Sequence, residues 1–158
     1  MGTHASPKPK WLYLIRAQHL HYSAIMQIIT IQPEAIFQAL ADETRLRIIR
    51  LKVVTGDESC LCELVDSLQE PSYKLSRHLK ILRQAGLLSS QKEGRWVYHR
   101  LVTTPAYLAQ LYATVQALPD SKGIYRADLK RFRDRLCLRE DGRCQVGIQS
   151  EAFKTEAG

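Results

Sequence analysis

The chain has 158 residues, enough for one globular domain with short extensions. Its 45% hydrophobic and 25% charged residues suit an ordinary core and surface, and no stretch approaches the ~18 apolar residues of a membrane span. Lys and Arg outnumber Asp and Glu by 23 to 16, and the resulting formal net charge of +7 suits a nucleic-acid partner without establishing one.

Residues 1–30 fit neither a clean helix nor a clean strand and predict an N-terminal arm without regular structure; a start at Met26 would remove most of it. Lys8 and Lys10 precede an apolar run, but Arg16 interrupts that run, which is too short and too polar for a secretory signal. We therefore expect a cytoplasmic protein with no membrane partner. Its four cysteines are then reduced ligands or sensors rather than a disulfide framework.

The segment from residue 31 to residue 118 begins with the signals of two helices. Pro33 suits the first turn of a helix, and an apolar face follows it at Ile36, Phe37 and Leu40. Asp42 is a preferred N-cap for a second helix, which carries apolar residues at helical spacing and ends at Gly56.

A Ser-Cys-Leu-Cys sequence opens the third predicted helix. Ser59 is a preferred N-cap, which places Cys60 and Cys62 in the first turn. There the unpaired backbone N–H groups and the positive end of the helix dipole favour thiolate over thiol. The pair therefore indicates a response to a thiophilic ion.

The next signals predict a helix-turn-helix followed by a hairpin. Glu70-Pro71-Ser72 indicates a turn with Ser72 as the next N-cap, and Gly86 indicates the end of the helix that follows. Residues 87–101 predict two strands joined at Gly94. Short helix, turn, second helix and two-stranded wing are the plan of a winged helix-turn-helix, a mainly α fold with a small β wing.

The second helix of this motif is expected to enter the major groove with its first residues toward the base edges. Arg suits guanine, Ser suits a base or a phosphate, and Tyr and Lys most often contact phosphate. The wing tip adds basic side chains for backbone or minor-groove contact. The expected DNA-binding residues are Ser72, Tyr73, Lys74, Ser76, Arg77, Lys92 and Arg95. His78 and His99 are interpreted as packing residues.

An amphipathic helix from Pro105 to Leu118 follows the wing, and residues 119–158 form a C-terminal extension. The extension contains a basic helical segment with Cys137 near its end, and Cys144 lies beyond an Asp-Gly turn. Residues after Gly147 are expected to form a frayed tail.

Three segments resemble signature sequences of the ArsR/SmtB family of metal-responsive repressors: Ala39 to Arg47, Leu75 to Leu87, and Gly94 to Leu101. The run that begins at Ser59 is similar to the Cys-Val-Cys box of the arsenic- and cadmium-sensing branches. The resemblance spans about residues 26–118 and covers neither extension.

The resemblance implies a homodimeric repressor that binds operator double-stranded DNA and leaves it when an ion binds. In this family the dimer forms largely through the first helix and the helix after the wing, here around Pro33–Leu40 and Pro105–Leu118. The apolar stripe of the second of these helices would otherwise be exposed, which independently favours a dimer.

Trivalent arsenic and antimony bind three thiolates, whereas cadmium and lead take three or four sulfurs. In one type of arsenic repressor a third cysteine lies three residues past the pair, but Val65 occupies that position here. We therefore expect Cys137 and Cys144, from either subunit, to complete the site with Cys60 and Cys62. As(III) or Sb(III) is the expected inducer, and a four-sulfur Cd(II) or Pb(II) site is the alternative.

A second alternative is a redox-sensing repressor of the same fold, in which Cys60 or Cys62 forms a disulfide with Cys137 or Cys144. An enzyme is not expected, because the sequence has no phosphate-cradling glycine loop and no His placed to act on a cysteine.

Overall fold

The computed structural model describes residues 32–157, so the predicted N-terminal arm lies outside the described residues. The helices of the described part are α1 (Pro33–Leu40), α2 (Glu43–Thr55), α3 (Leu61–Leu68), α4 (Ser72–Gln84), α5 (Tyr107–Ala117) and α6 (Ile124–Leu136). The strands are β1 (Ser59–Cys60), β2 (Leu88–Glu93), β3 (Trp96–Leu101), β4 (Arg139–Glu140) and β5 (Arg143–Cys144), and a 3₁₀ helix spans Glu151–Ala157.

The predicted winged helix-turn-helix is confirmed. Helices α3 and α4 form the helix-turn-helix, and the antiparallel β2–β3 hairpin is the wing, with Glu93 opposite Trp96 at its tip. Gly94 turns the chain there with a φ of 58°, a left-handed conformation that favours glycine. Strand β1 pairs with the other edge of β3 and completes a three-stranded sheet.

Local capping explains where the helices of the motif begin and end. The Asp42 side chain accepts a hydrogen bond from the Arg45 amide at 3.0 Å, so Asp42 caps α2 as predicted. Gly86, with a φ of 72°, follows α4, and the Leu87 amide donates to the Leu82 carbonyl at 3.0 Å. Ser72 was predicted as the N-cap of α4, but it is the first helical residue, because the extended Pro71 takes the capping position.

The expectation that Ser59 caps the cysteine-bearing helix is wrong. Ser59 and Cys60 pair with His99 and Tyr98 of β3, which keeps their backbone extended. The helix therefore begins one residue later, with Cys60 as its N-cap and Cys62 in its first turn. Ser59 is buried, and its Oγ accepts a hydrogen bond from the Nζ of Lys52 at 2.7 Å.

The C-terminal extension packs against the helix-turn-helix as part of one compact unit. Arg47 of α2 donates from two guanidinium nitrogens to the carboxylate of Asp128 in α6, at 2.8 and 2.9 Å. The backbone amides of Gln149 and Ser150 both donate to Asp66 Oδ1 at 2.8 Å. The expected frayed tail after Gly147 is therefore wrong for these residues, since Asp66 binds their backbone.

Two apolar side chains at the expected dimer surface remain exposed in the single chain. Phe37 of α1 is 66% exposed and Tyr107 of α5 is 48% exposed. Leu108, Tyr112 and Val115 of α5 are buried in their own subunit, so the expectation that the apolar stripe of this helix would be exposed is wrong at these three positions. Within residues 32–157, no helix has the length and apolar content needed to cross a bilayer.

Candidate metal centre and nucleic-acid interface

Three of the four predicted ligands come together. The Sγ atoms of Cys60, Cys62 and Cys144 all lie within 4.8 Å of one another. The distance from Cys60 Sγ to Cys62 Sγ is 2.8 Å, and that from Cys62 Sγ to Cys144 Sγ is 3.5 Å. All three residues are buried, and Tyr98 packs with them in one cluster.

Cys137 does not join this group. It follows the last residue of α6, is exposed, and its Sγ contacts the Arg133 carbonyl of its own helix at 3.4 Å. The structure therefore brings together three of the four cysteines that were predicted as ligands, whereas Cys137 lies at the surface.

The β4–β5 hairpin delivers Cys144 to the other two sulfurs. Asp141 and Gly142 form its turn with φ values of 50° and 73°. The Cys144 amide then donates to the Tyr98 hydroxyl at 2.8 Å, which fixes the third cysteine beside the wing strand β3. We refer to Arg139–Ser150 as the strap.

A buried ion pair lies beside Cys60. Glu63, fully buried, accepts two hydrogen bonds from the Arg139 guanidinium at 2.8 and 2.9 Å and one from the Cys60 amide at 2.9 Å. Burial alone would raise the pKa of Glu63, but these donors hold it below its ordinary value. The carboxylate thus stays charged and ties the strap to the start of α3.

Cys60 and Cys144 both have pKa values above the ordinary value of a cysteine thiol. The adjacent Cys62 sulfur and burial raise the pKa of Cys60, and the Glu63 carboxylate raises it further. Burial and the neighbouring Cys60 raise the pKa of Cys144. The predicted thiolate preference is therefore wrong for Cys60, because burial and neighbouring acidic groups outweigh the helix dipole. Binding of an ion to these sulfurs must displace their protons.

Arg135 of α6 contacts the other side of the cluster. It is buried, and its Nε donates to Asp66 Oδ2 at 2.6 Å. Its Nη2 lies 3.6 Å from Cys144 Sγ and 3.9 Å from Cys62 Sγ. The same nitrogen donates to the strap carbonyls of Val146 and Gly147 at 2.9 and 3.1 Å.

The strap also contacts the wing. Arg143 pairs with Glu58 at 2.6 Å and with Glu93 of β2 at 2.7 Å. Arg95, at the wing tip, lies over the Trp96 ring and donates to the Gln145 carbonyl at 2.9 Å. One of the predicted DNA contacts is therefore hydrogen-bonded to the residue that follows Cys144.

A cavity of about 580 Å³ extends from the sulfur pair toward the predicted DNA-binding face. Cys60 and Cys62 line it together with Ser72, Ser76 and Arg95. Side chains predicted to bind an ion and side chains predicted to bind DNA therefore border the same space.

The other predicted DNA-binding residues lie on the surface to different degrees. Tyr73, Ser76, Arg77 and Lys92 are exposed, whereas Ser72 is half-buried. Lys74 is half-buried and pairs with Glu70 at 2.8 Å. The two histidines have packed positions: His78 Nδ1 lies 3.3 Å from an Arg45 nitrogen, and His99 is buried.

The fold and these surfaces define a winged helix-turn-helix DNA-binding protein. A model of the arsR family of bacterial regulatory proteins matches residues 42–90. The arsenical resistance operon repressor of Escherichia coli K12 is 45% identical over 80 residues, which are 50% of this chain and 68% of the relative. An arsenic resistance transcriptional regulator of Pseudomonas putida KT2440 is 42% identical over 89 residues, or 55% of this chain and 76% of the relative.

A cadmium resistance regulatory protein of Staphylococcus aureus, a CadC homolog, is 33% identical over 66 residues, or 42% of this chain and 54% of the relative. The chain belongs to the ArsR family of transcriptional regulators, as the resemblance implied. Arsenic and cadmium both occur in the names of these relatives, so the comparisons leave the inducing ion open.

The residues around the sulfurs were not anticipated from the sequence: Glu63, Asp66, Arg135, Arg139 and Arg143. Glu63 carried one usable signal, because it stands three residues after Cys60, the spacing of a helix capping box. Among the arginines, Arg135 appeared only as part of a basic helical segment, and Arg139 and Arg143 lay beyond it. Their acidic partners lie 50 or more residues away in sequence.

Proposed function

We propose that the chain is a transcriptional repressor that releases operator DNA when trivalent arsenic or antimony binds Cys60, Cys62 and Cys144. The observation that carries the proposal is the convergence of these three sulfurs, two from the helix-turn-helix and one from the strap. Soft thiolate ligands select soft ions, and a set of three matches the number that trivalent arsenic takes.

The donor set fits such an ion in position and in chemistry. With bonds of ~2.3 Å, two sulfurs on a tetrahedral ion such as zinc stand about 3.8 Å apart, and the narrower angles of a pyramidal three-coordinate ion would bring them somewhat closer. The observed separations of 2.8 and 3.5 Å, within a group no wider than 4.8 Å, need adjustments of about 1 Å to reach that spacing. Arsenite in neutral water is As(OH)₃, so binding would replace its three hydroxyl groups with the three sulfurs and release three water molecules.

The contacts of the strap give a route by which ion binding at the three sulfurs alters DNA binding. Cys60 and Cys62 begin the first helix of the helix-turn-helix, and Cys144 belongs to a segment that binds the wing through Arg143 and Arg95. Drawing the three sulfurs into one ligand set therefore moves the start of α3 and the wing contacts together. By linkage, operator DNA must weaken ion binding by the same factor.

Operator binding is assigned to the start of α4 and to the wing tip, with Arg77 as the exposed candidate for base reading and Lys92 for the backbone. A homodimer is proposed through α1 and α5, since Phe37 and Tyr107 leave apolar surface there. A two-fold dimer would place two recognition helices on two half-sites.

The test is fluorescence anisotropy of the reduced protein on its own upstream DNA, titrated with arsenite, antimonite, cadmium or zinc. We expect near-stoichiometric arsenite or antimonite to release the DNA and zinc not to release it. The double variant Cys60→Ser/Cys62→Ser is expected to bind DNA and to keep it when arsenite is added. Release by cadmium alone would favour the four-sulfur alternative. Release of the double variant by arsenite would overturn the proposal.

The Cys62–Cys144 contact also supports a second candidate, a thiol-redox repressor. A hydroperoxide would take two electrons and two protons from these thiols, forming a disulfide and being reduced to an alcohol and water. Peroxide-driven release in the presence of a chelator, reversed by dithiothreitol, would favour it. Arsenite-driven release under strictly reducing conditions favours the arsenic sensor.

A further inference from the structure

We infer that Arg135 is the positioning residue of the sulfur site, the side chain that holds Cys144 against Cys60 and Cys62. The inference rests on the proposed ligand set and adds to it a residue of α6. Within residues 32–157, the hydrogen bonds of Arg135 reach none of the predicted DNA-binding residues, so its expected effect is on the sulfur site itself.

Burial and geometry restrict what this side chain can do. Arg135 is 4% exposed, and its Nε is anchored on Asp66 of α3 at 2.6 Å. A guanidinium is planar, with donors in a fixed fork, so this anchor also fixes the direction of Nη2. That nitrogen lies between the two strap carbonyls and the sulfurs of Cys62 and Cys144.

The carbonyls belong to Val146 and Gly147, which follow Cys144 by two and three residues. Arg135 thereby fixes the strap on the C-terminal side of Cys144, as Tyr98 fixes the Cys144 amide. The Nη1 atom of Arg135 has no hydrogen-bond partner within residues 32–157, so the guanidinium keeps unused donor capacity beside the sulfurs. Together these contacts place the third cysteine before any ion arrives, which lowers the ordering cost of capture.

Lysine at this position would keep the charge beside Asp66 but lose the fork. A single ammonium on a flexible stem replaces the planar group that contacts the strap and Asp66 simultaneously. Arg131→Lys is the matched control. Arg131 lies one turn earlier on α6 and joins it to α3 by donating to the Ser67 carbonyl at 2.6 Å, and its hydrogen bonds do not involve the strap.

The first measurement uses the reduced, metal-free protein. Iodoacetamide labelling followed by mass spectrometry gives the alkylation rate of each cysteine, with exposed Cys137 as the internal reference. We expect Arg135→Lys to raise the rate at Cys144 about tenfold relative to Cys137, because local opening of the strap becomes easier. Arg131→Lys is expected to leave that ratio unchanged. Equal rates in wild type, Arg135→Lys and Arg131→Lys would overturn the inference.

The second measurement is arsenite affinity and the number of arsenic–sulfur bonds by X-ray absorption. We expect Arg135→Lys to lower affinity by about 10–100-fold and to be non-additive with Cys144→Ser, since both act on the same ligand. Full additivity would contradict the inference. If Arg135→Lys does not fold, Arg135→Gln is the second variant; it keeps a planar amide donor but loses the fork, and it is expected to raise the Cys144 labelling rate. If wild type binds no arsenite, the proposed function fails while the labelling result still decides the role of Arg135.

Discussion

The Sγ atoms of Cys62 and Cys144 lie 3.5 Å apart, although 82 residues separate the two cysteines in sequence. Cys62 belongs to the first helix of the helix-turn-helix, and Cys144 belongs to the strap. The contact exists because α6 packs on the helix-turn-helix and returns the chain over the start of α3. One side of the sulfur site is therefore built by the DNA-binding motif and the other by the extension.

Serine substitutions should show that Cys144 is an ion ligand and that Cys137 is not. Cys144→Ser is expected to weaken arsenite binding by at least about tenfold, since losing a ligand should cost no less than losing a residue that supports one. Cys137→Ser is expected to change it less than about twofold, because Cys137 is exposed and outside the cluster. Isothermal titration under reducing conditions gives both values. Equal losses in the two variants would reassign Cys137 to the site.

Prediction from the sequence agreed with the structure where the information was local. The adjacent Cys60 and Cys62, the Asp42 cap, the Gly86 helix end and the Gly94 turn all follow from a few neighbouring residues. The Ser59 prediction failed because β1 pairing with β3, a contact across about 40 residues, overrode the local capping preference.

The choice between Cys137 and Cys144 depends on tertiary packing in the same way. Helical periodicity placed Cys137 near the end of α6, but it could not show which side of the helix end faces the core. Asp66 and Glu63 are buried acids that bind Arg135 and Arg139, and those pairings fix the path of the strap. The residues that neighbour these acids in sequence do not indicate such distant partners.

Arg143 is expected to connect ion binding with DNA release. Arg143→Gln removes its pairs with Glu58 and Glu93 but no sulfur. Half-exposed pairs are worth up to about 1 kcal/mol each, so losing both should reduce the ion-induced change in DNA affinity by up to about 30-fold, while arsenite affinity changes little. Anisotropy titrations with and without arsenite measure this ratio.

Lys130→Gln is the control for the charge change, since Lys130 is exposed and its one ion pair within the described residues is with Asp134 on the same helix. Because this pair lies within α6 and joins neither the strap nor the wing, its loss should change the ratio less than twofold. An unchanged ratio in Arg143→Gln would show that the strap reaches the operator by another route.

Arg77 is expected to supply sequence discrimination. Arg77→Ala should cost about 1–3 kcal/mol on the operator and much less on a scrambled duplex, because a base contact is lost. Lys80→Ala, also exposed on α4, should weaken both duplexes similarly, as expected for a phosphate contact. Competition binding at fixed salt compares them. Parallel losses of Arg77→Ala on both duplexes would make Arg77 a phosphate contact.

Phe37→Glu is expected to disrupt the proposed homodimer, since it places an unpaired charge where apolar surface is covered on association. Sedimentation velocity should show monomers at concentrations where wild type is dimeric. Val97→Glu, on the exposed face of the wing, is the control and should leave the dimer intact. A Phe37→Glu protein that remains dimeric would locate the interface elsewhere.

Lys52 is expected to give the metal-free protein a pH-dependent stability. The side chain is buried, and its Nζ donates to Ser59 Oγ and the His99 carbonyl, both at 2.7 Å. Burial lowers the pKa of Lys52 from its ordinary 10.5 to about 7, although the Glu63 carboxylate opposes the shift. Below pH 7 the folded and unfolded states both hold the proton, and the destabilisation is complete.

As the pH rises above 7, the folded state loses the Lys52 proton before the unfolded state does, so stability increases toward pH 10.5. Relative to Lys52→Met, the wild-type free energy of unfolding should increase by up to about 1.4 kcal/mol per pH unit between about pH 7.5 and 8.5. Urea denaturation measures it, and exposed Lys80→Met is the control that should retain the wild-type slope. The buried thiols of Cys60 and Cys144 are present in all three proteins, so their contributions to the pH dependence cancel in the difference between variants. Parallel pH profiles in wild type and Lys52→Met would mean that the folded protein keeps Lys52 charged, with Ser59 and His99 stabilising the ammonium.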